Sequence, residues 1–429
     1  MRIRSLTLVV LLVGLAACGW TQPGFDAGHS QTNSFDAALT PTNVGTLEHH
    51  TVAVANASIQ DAFVVGSLLI VNTATDAIAY DRLDCPRSDN GPCTPVWTRT
   101  GETFKSSDGT SVMFFTTGAH TFEATNLAGT KLWDGTIAPN SGLFNPDGFG
   151  ISNGYLLVPI GEYLGHGSSA TTMDVYAVTG CGAPSCPPTR QILIGTGTVS
   201  FQPWAAAGSN LYAGVGAFDL TTGTQLWSFG GYNGATNAVA ARNGLVYVAR
   251  ATTDNGTDVF DSSGSNRCSG LPKICQPIRH LPNGQIGAVG DRRVTSASYS
   301  NSSGPEAKLA FYPTDATGCT GSPSVCTPLA TTGALGTSLN TIPRVAATNN
   351  VVFATGQVTG PLPVTNYSLY AFDAALNQGC SGTPKVCTPL FQFTSTNVSL
   401  SAPKIWDGRV YSVGSSGVLH VFSLPGAVS

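Results

Sequence analysis

Apolar and polar residues alternate in short runs along almost the whole chain. At residues 368–372 the run Ser-Leu-Tyr-Ala-Phe sends successive side chains to opposite sides, the signature of a half-buried strand. A polar loop bracketed by Cys380 and Cys387 follows, and a second short strand opens at Thr388-Pro389-Leu390-Phe391. The same phrase returns along the chain. With the aspartate after its aromatic residue as a ruler, copies fall at Asp81, Thr125, Thr179, Asp219, Asp261, Pro313, Asp373 and Ser423, at intervals of 40 to 60 residues. Upstream of each lies a strand, a tight turn and another strand. Residues 238–248, AVAARNGLVYV, are the clearest case, because Asn243-Gly244 is a favoured two-residue hairpin turn. Residues 148–159, 344–354 and 404–413 repeat it around Asn153-Gly154, Asn349-Asn350 and Asp407-Gly408.

Units of about 40–45 residues carrying four short strands are the repeat of a β-propeller, and the longer intervals accommodate loop insertions. The pattern predicts an all-β fold, an eight-bladed β-propeller of four-stranded antiparallel blades. The last copy, residues 401–425, ends after three strands, and an open ring would leave exposed edges. Residues 47–55, LEHHTVAVA, can supply the missing strand and close the ring at the N-terminus. The alternative is seven blades, with the weak copy at residues 286–332 as an insertion.

Composition fits this reading. Gly 50, Pro 26 and only 10% charged residues do not suit a helical protein. The net charge of −4, with no clustering of Lys and Arg into a stripe, argues against nucleic acid as a partner.

The first residues change the picture of location. Arg2 and Arg4 precede an apolar run at 6–17, too short for the roughly 20 residues of a membrane span but suited to the core of an export signal. The run ends Leu-Ala-Ala-Cys18-Gly, which resembles the bacterial lipobox. That resemblance implies cleavage before Cys18 and its acylation, with the mature chain held outside the cytoplasmic membrane by a lipid anchor. An ordinary signal peptide with Cys18 incidental is the alternative. The domain expectation is residues 1–17 as lipoprotein signal peptide, 18–46 as lipidated N-terminus and extended lead-in, and 47–429 as one propeller domain.

Of the 11 cysteines, ten remain once Cys18 is set aside, and they fall into local pairs. These are Cys85 with Cys93, Cys181 with Cys186, Cys268 with Cys275, Cys319 with Cys326, and Cys380 with Cys387; the last three share the spacing C-x₆-C. An exported chain meets an oxidising compartment, so five disulfides are expected, each stabilising by roughly 2–3 kcal/mol on a chain-entropy account. Zinc is the rival, but most of these spacings are wider than its usual C-x₂₋₄-C.

One repeat carries a more specific likeness. Ala217-Phe-Asp219-Leu-Thr-Thr222-Gly223-Thr-Gln-Leu-Trp227 resembles the tryptophan-docking motif of pyrroloquinoline-quinone (PQQ)-type propellers. Gly129 to Trp133 keeps the end of the motif, and Trp97 keeps its tryptophan. Trp20, Asn33 and residues 39–47 are similar to the segment leading into such propellers. The resemblance implies that each Trp packs between adjacent blades and that the Gly permits a tight turn.

It also raises the possibility of a quinoprotein-like dehydrogenase, which would need an Asp base, a calcium ion, a vicinal Cys pair and a Trp platform for PQQ. No adjacent cysteines occur here, and Trp204, Trp227 and Trp406 are as readily blade-packing residues. Other candidates are isolated: His49-His50, which a strand points to opposite faces; the loop carboxylates Asp134, Asp147 and Glu162 as calcium ligands; and the charged turn Asp291-Arg292-Arg293 as a partner contact. No G-x-S-x-G elbow supports a nucleophile.

The function expected is therefore an exported, lipid-anchored, non-catalytic scaffold at the bacterial cell envelope, monomeric, binding envelope proteins or polymers through inter-blade loops. PQQ with calcium, and a cell-wall or carbohydrate-binding module, are the alternatives. The propeller lipoprotein of the outer-membrane β-barrel assembly machinery is similar in anchor and blade count, but the disulfide-laced loops depart from it.

Overall fold

The computed structural model describes residues 20–426, apart from 53–56, 86–92, 119, 138–142, 145–147, 166–167, 198–202, 215, 231–235, 251–255, 283, 292, 301–305, 337–342 and 360–364. Cys18 lies outside the described residues.

Eight antiparallel units form a ring, an eight-bladed propeller. Blade 1 shows the plan: Ile59–Val65 nearest the axis, then Leu68–Thr73, Asp76–Asp81 and Pro95–Thr100 outward, each paired with the one before. The weak copy is a full blade, blade 6, built from Gln285–Val289, Arg293–Ser300, Glu306–Pro313 and Ala330–Thr332. Its slot at Pro313 does no capping; Asp315, two residues on, accepts from the Thr317 amide instead.

Blade 8 has Lys404–Trp406, Arg409–Val413 and Leu419–Ser423 from the C-terminal end. Its outer strand is Glu48–Val52, antiparallel to Leu419–Ser423 with Glu48 opposite Ser423. One end of the chain thus completes the sheet begun by the other, as the edge argument requires.

Every blade is apolar on both sides, since it packs between two neighbours. The described core accordingly divides into eight clusters, one at each blade interface. Phe114, Phe122, Trp133, Leu156 and Tyr176 fill that between blades 2 and 3, for example.

The two faces of the disc carry different connections. Turns between first and second strands, and between third and fourth, lie on one face, here the turn face. Links between blades and the second-to-third connections lie on the other, the link face. Asn153-Gly154, Asn243-Gly244 and Asp407-Gly408 all take positive φ on the turn face, as a two-residue primed hairpin turn demands.

Candidate functional site

The lead-in lies inside the central channel. The first strand of a blade has one edge unpaired, and its amides need acceptors. Residues 20–33 meet this need in blade order. The amides of Val64 in blade 1 and Ser107 in blade 2 donate to the carbonyls of Trp20 (3.2 Å) and Thr21 (3.0 Å). Ile151 in blade 3 donates to Gln22 Oε1 at 2.7 Å. Ala206, Ala241, Val289 and Ala347, in blades 4 to 7, donate to Ala27, Gly28, Ser30 and Gln31 at 2.6–2.8 Å. Finally Asn33 Nδ2 donates to the Ile405 carbonyl of blade 8 at 2.9 Å. Every blade is touched, and Thr32–Asn33 also pairs in parallel with Ala347 and Thr348 of blade 7. The contacts sit near the ends of the first strands, so this coil closes the channel at the turn face.

Local chemistry shapes the coil. Asp26 accepts from the Ser30 amide (3.0 Å) and hydroxyl (2.6 Å), making a short loop. Burial raises the Asp26 pKa, opposed by those bonds and by Arg242. Arg242 also donates to Asp291 at 2.9 Å, so the turn singled out by its charges joins blade 5, blade 6 and the coil. A Cβ on Gly28 would stand 2.2 Å from the Ala241 carbonyl oxygen, so a side chain has no room there. His29 packs on Trp204 with ring centroids 4.7 Å apart, and burial lowers its pKa to about 4.

The docking motif works across interfaces. Trp227 is buried, and its ring lies where a Cβ on Gly264 of the next blade would be, 2.3 Å from Cδ1. Trp133 relates in the same way to Gly180, at 2.8 Å, and Trp97 more loosely to Gly129, at 3.9 Å. Gly223 faces Ile192, which holds the tryptophan position of blade 3. Ala217 is buried opposite Trp227, while Asp219 accepts from the amides of Thr221 and Thr222 and closes the turn. The Thr221 hydroxyl, donating to the same carboxylate, is the largest cause of its lowered pKa.

The cysteines pair locally: Cys85–Cys93, Cys181–Cys186, Cys268–Cys275, Cys319–Cys326 and Cys380–Cys387. All lie between third and fourth strands. Four of these loops reach back and add a parallel strand to the outer edge of the preceding blade, pairing Ser185, Ile274, Ser324 and Lys385 with Asp134, Ser228, Arg279 and Ala330. They are clasps between blades, which the sequence pattern does not announce.

The scattered candidates resolve as structural contacts. His49 Nε2 meets His420 Nδ1 at 3.0 Å where the ring closes, and His49 lies against Phe393 and Phe422. Asp134 pairs with Lys131 at 2.7 Å. Asp147 and the side chain of Glu162 lie outside the described residues. Asp258, fully buried, is held by Arg250 and by His280 Nδ1 at 2.8 Å. No cluster of three or more metal-ligating side chains occurs among the described residues. Trp227 and Trp204 are buried in blade packing and against the coil, and Trp406 packs at the interface of blades 8 and 1.

On the link face the structure leaves a cleft of about 570 Å³ where blades 7, 8 and 1 meet. Gln60, Arg344, Gln357, Tyr367 and Ser401 give it a hydroxyl, amide and guanidinium lining. Arg344 is exposed, and its own amide is fixed by Thr355 Oγ1 at 3.1 Å. No carboxylate or imidazole lines the cleft among the described residues. Its groups can donate and accept hydrogen bonds and attract an anion; they cannot exchange a proton near neutral pH.

Solved structures share the fold. The computationally designed Ika8 protein matches over 89% of this chain and 99% of its own, at 13% identity and TM-score 0.53. BamB from Moraxella catarrhalis matches over 87% and 100%, at 11% identity and TM-score 0.47. A quinohemoprotein alcohol dehydrogenase from Pseudomonas putida HK5 matches over 98% and 82%, at 12% identity and TM-score 0.49. No family model matches the sequence, and neither does any curated protein. The likeness is therefore one of fold.

Proposed function

We propose that this protein is exported, held at the cell envelope by lipid on Cys18, and serves as a non-catalytic binding scaffold that takes its partner at the link face. The observation that carries this is the polar cleft at blades 7, 8 and 1, lined by Arg344, Tyr367 and neutral hydroxyl and amide groups. A site of that chemistry recognises a hydroxyl-rich or anionic group, such as an envelope polymer or the carboxylate of a protein partner. Five disulfides support a location outside the reducing cytoplasm.

A photo-crosslinking residue in place of Ser415, exposed at the cleft, should capture a partner in intact envelopes, and Arg344→Ala should weaken the capture. Capture equal to that from a position on the opposite face would overturn the assignment. Radiolabelled fatty acid should mark the protein and leave Cys18→Ser unmarked; a labelled mutant would remove the anchor. Calorimetry with PQQ and calcium should show no binding, whereas micromolar binding would replace the scaffold with a dehydrogenase.

A further inference from the structure

The two mouths of the channel are not equally accessible to the residues before Trp20. The Trp20 carbonyl is held by Val64, the last but one residue of the first strand of blade 1, Ile59–Val65. The turn-face end of that strand is one residue further on. The link-face end, Ile59, is five residues back, about 17 Å at roughly 3.4 Å per residue. Two residues of extended chain span at most about 7 Å. The link face is therefore out of reach of a residue two positions before Trp20, and the turn face is within it. The apolar run at 6–17 ends directly before that residue, Cys18.

The same face carries the three C-x₆-C clasps. Their second arms run parallel to outer strands that lead away from the turn face, so the tips, which precede those arms, lie at its rim. Leu271 at one tip is 98% exposed, and Ile274, Val325 and Val386 are about half exposed. The three segments CSGLPKIC, CTGSPSVC and CSGTPKVC contain no Asp or Glu; Lys273 and Lys385 stand there, each donating to one backbone carbonyl, and the carboxylates of Asp219, Asp261 and Asp373 on this face accept from amides of their own loops. Apolar tips beside cations suit the boundary between acyl chains and anionic headgroups.

We infer that the turn face is the membrane-facing side of the disc, resting on phospholipid with Leu271 entering the acyl boundary, so that the cleft faces away from the bilayer. This rests on the reading that the chain before Trp20 holds the protein to the membrane.

The test places one tryptophan on each face of the full chain, Leu271→Trp and Ser415→Trp, both at exposed positions. Each variant is purified from membranes and reconstituted in vesicles containing phosphatidylglycerol and brominated lipid. Relative to the parent, Leu271→Trp should add fluorescence quenched at least two-fold more than that added by Ser415→Trp. Equal or greater quenching at 415, or none at either position, would overturn the orientation. Mass spectrometry of the peptide carrying Cys18 reads acylation separately. Should no acyl chain be found, the anchor reading falls alone, and coupling Cys18 to a maleimide lipid in the same vesicles still decides the face.

Discussion

The turn face and the link face are held together by different means. On the turn face, the carboxylates of Asp219, Asp261 and Asp373 each bind amides of their own loop, disulfides close the longer connections, and residues 20–33 fill the axis. On the link face, three blades leave a cleft whose side chains, Arg344 among them, reach solvent. Carboxylates on the first face are spent on the fold, whereas on the second the Arg344 guanidinium reaches solvent beside the cleft. A rigid frame with its chemistry on one side is how scaffolds present loops.

The sharpest way to break that comparison is to remove the coil. A chain lacking residues 20–33 loses a contact to every blade and takes Trp20 and Phe25 from the core between blades 7 and 8. It should show no cooperative thermal transition. Gly28→Val should move the same way by a smaller amount, because its side chain would strike the Ala241 carbonyl. A truncated chain that melts within a few degrees of the parent would mean that the coil only occupies space.

Next in size is the docking motif. Trp227 is buried against Gly264, so Trp227→Ala should cost about 3–5 kcal/mol. Trp97 is only half-buried and lies further from its glycine, so Trp97→Ala should cost roughly 1–2 kcal/mol. Equal losses in denaturant titrations would show that the motif, rather than burial, sets the energy.

Much of the frame was legible in the sequence. Alternation marked the strands, Asn-Gly and Asp-Gly marked the inner hairpins, and local spacing paired the cysteines. Even the closing strand followed from counting three strands at residues 401–425. The coil was not legible, because its contacts are spread over eight blades, mostly one bond to each with a two-residue ladder to blade 7, and impose no period on residues 20–33. The signals present were indirect: small residues at Ala27-Gly28, and an Asp-x₃-Ser loop at Asp26 and Ser30. Blade 6 was blurred for a related reason, since its turn is capped by Asp315 and not by the residue at the repeat position, Pro313. The cleft was hidden because its lining is drawn from residues as far apart as Gln60, Tyr367 and Ser415, which only ring closure brings together.

Acid should loosen the coil and the seam where the ring closes. Burial lowers the pKa of His29 to about 4, and burial, then His420 and His50, lowers that of His49 to about 4. Unfolded, each binds a proton near pH 6.5, so the stability they contribute is full above that value and is lost as pH falls toward 4. For His29, set in the coil, the loss is on the order of 2 kcal/mol after allowing for its partial exposure. Asp26 acts with the opposite sign, since its raised pKa favours protonation in the folded state. The melting temperature of His29→Gln should therefore fall less than the parent's between pH 6.5 and 4. An identical fall in both would place the acid sensitivity elsewhere.

The smallest expected effect tests the other half of the comparison. If the Arg344 guanidinium and the Tyr367 hydroxyl are not used by the fold, removing them should leave stability almost unchanged. Arg344 is exposed and makes no ion pair among the described residues, so Arg344→Ala should shift unfolding by less than about 0.5 kcal/mol. Tyr367, at the start of the third strand of blade 7, is only partly buried, and Tyr367→Phe should stay within the same range. Both should nevertheless lower partner capture, because the lost donors face the cleft. A large stability loss with unchanged capture would assign them to the frame, and the two faces would then differ in shape rather than in use.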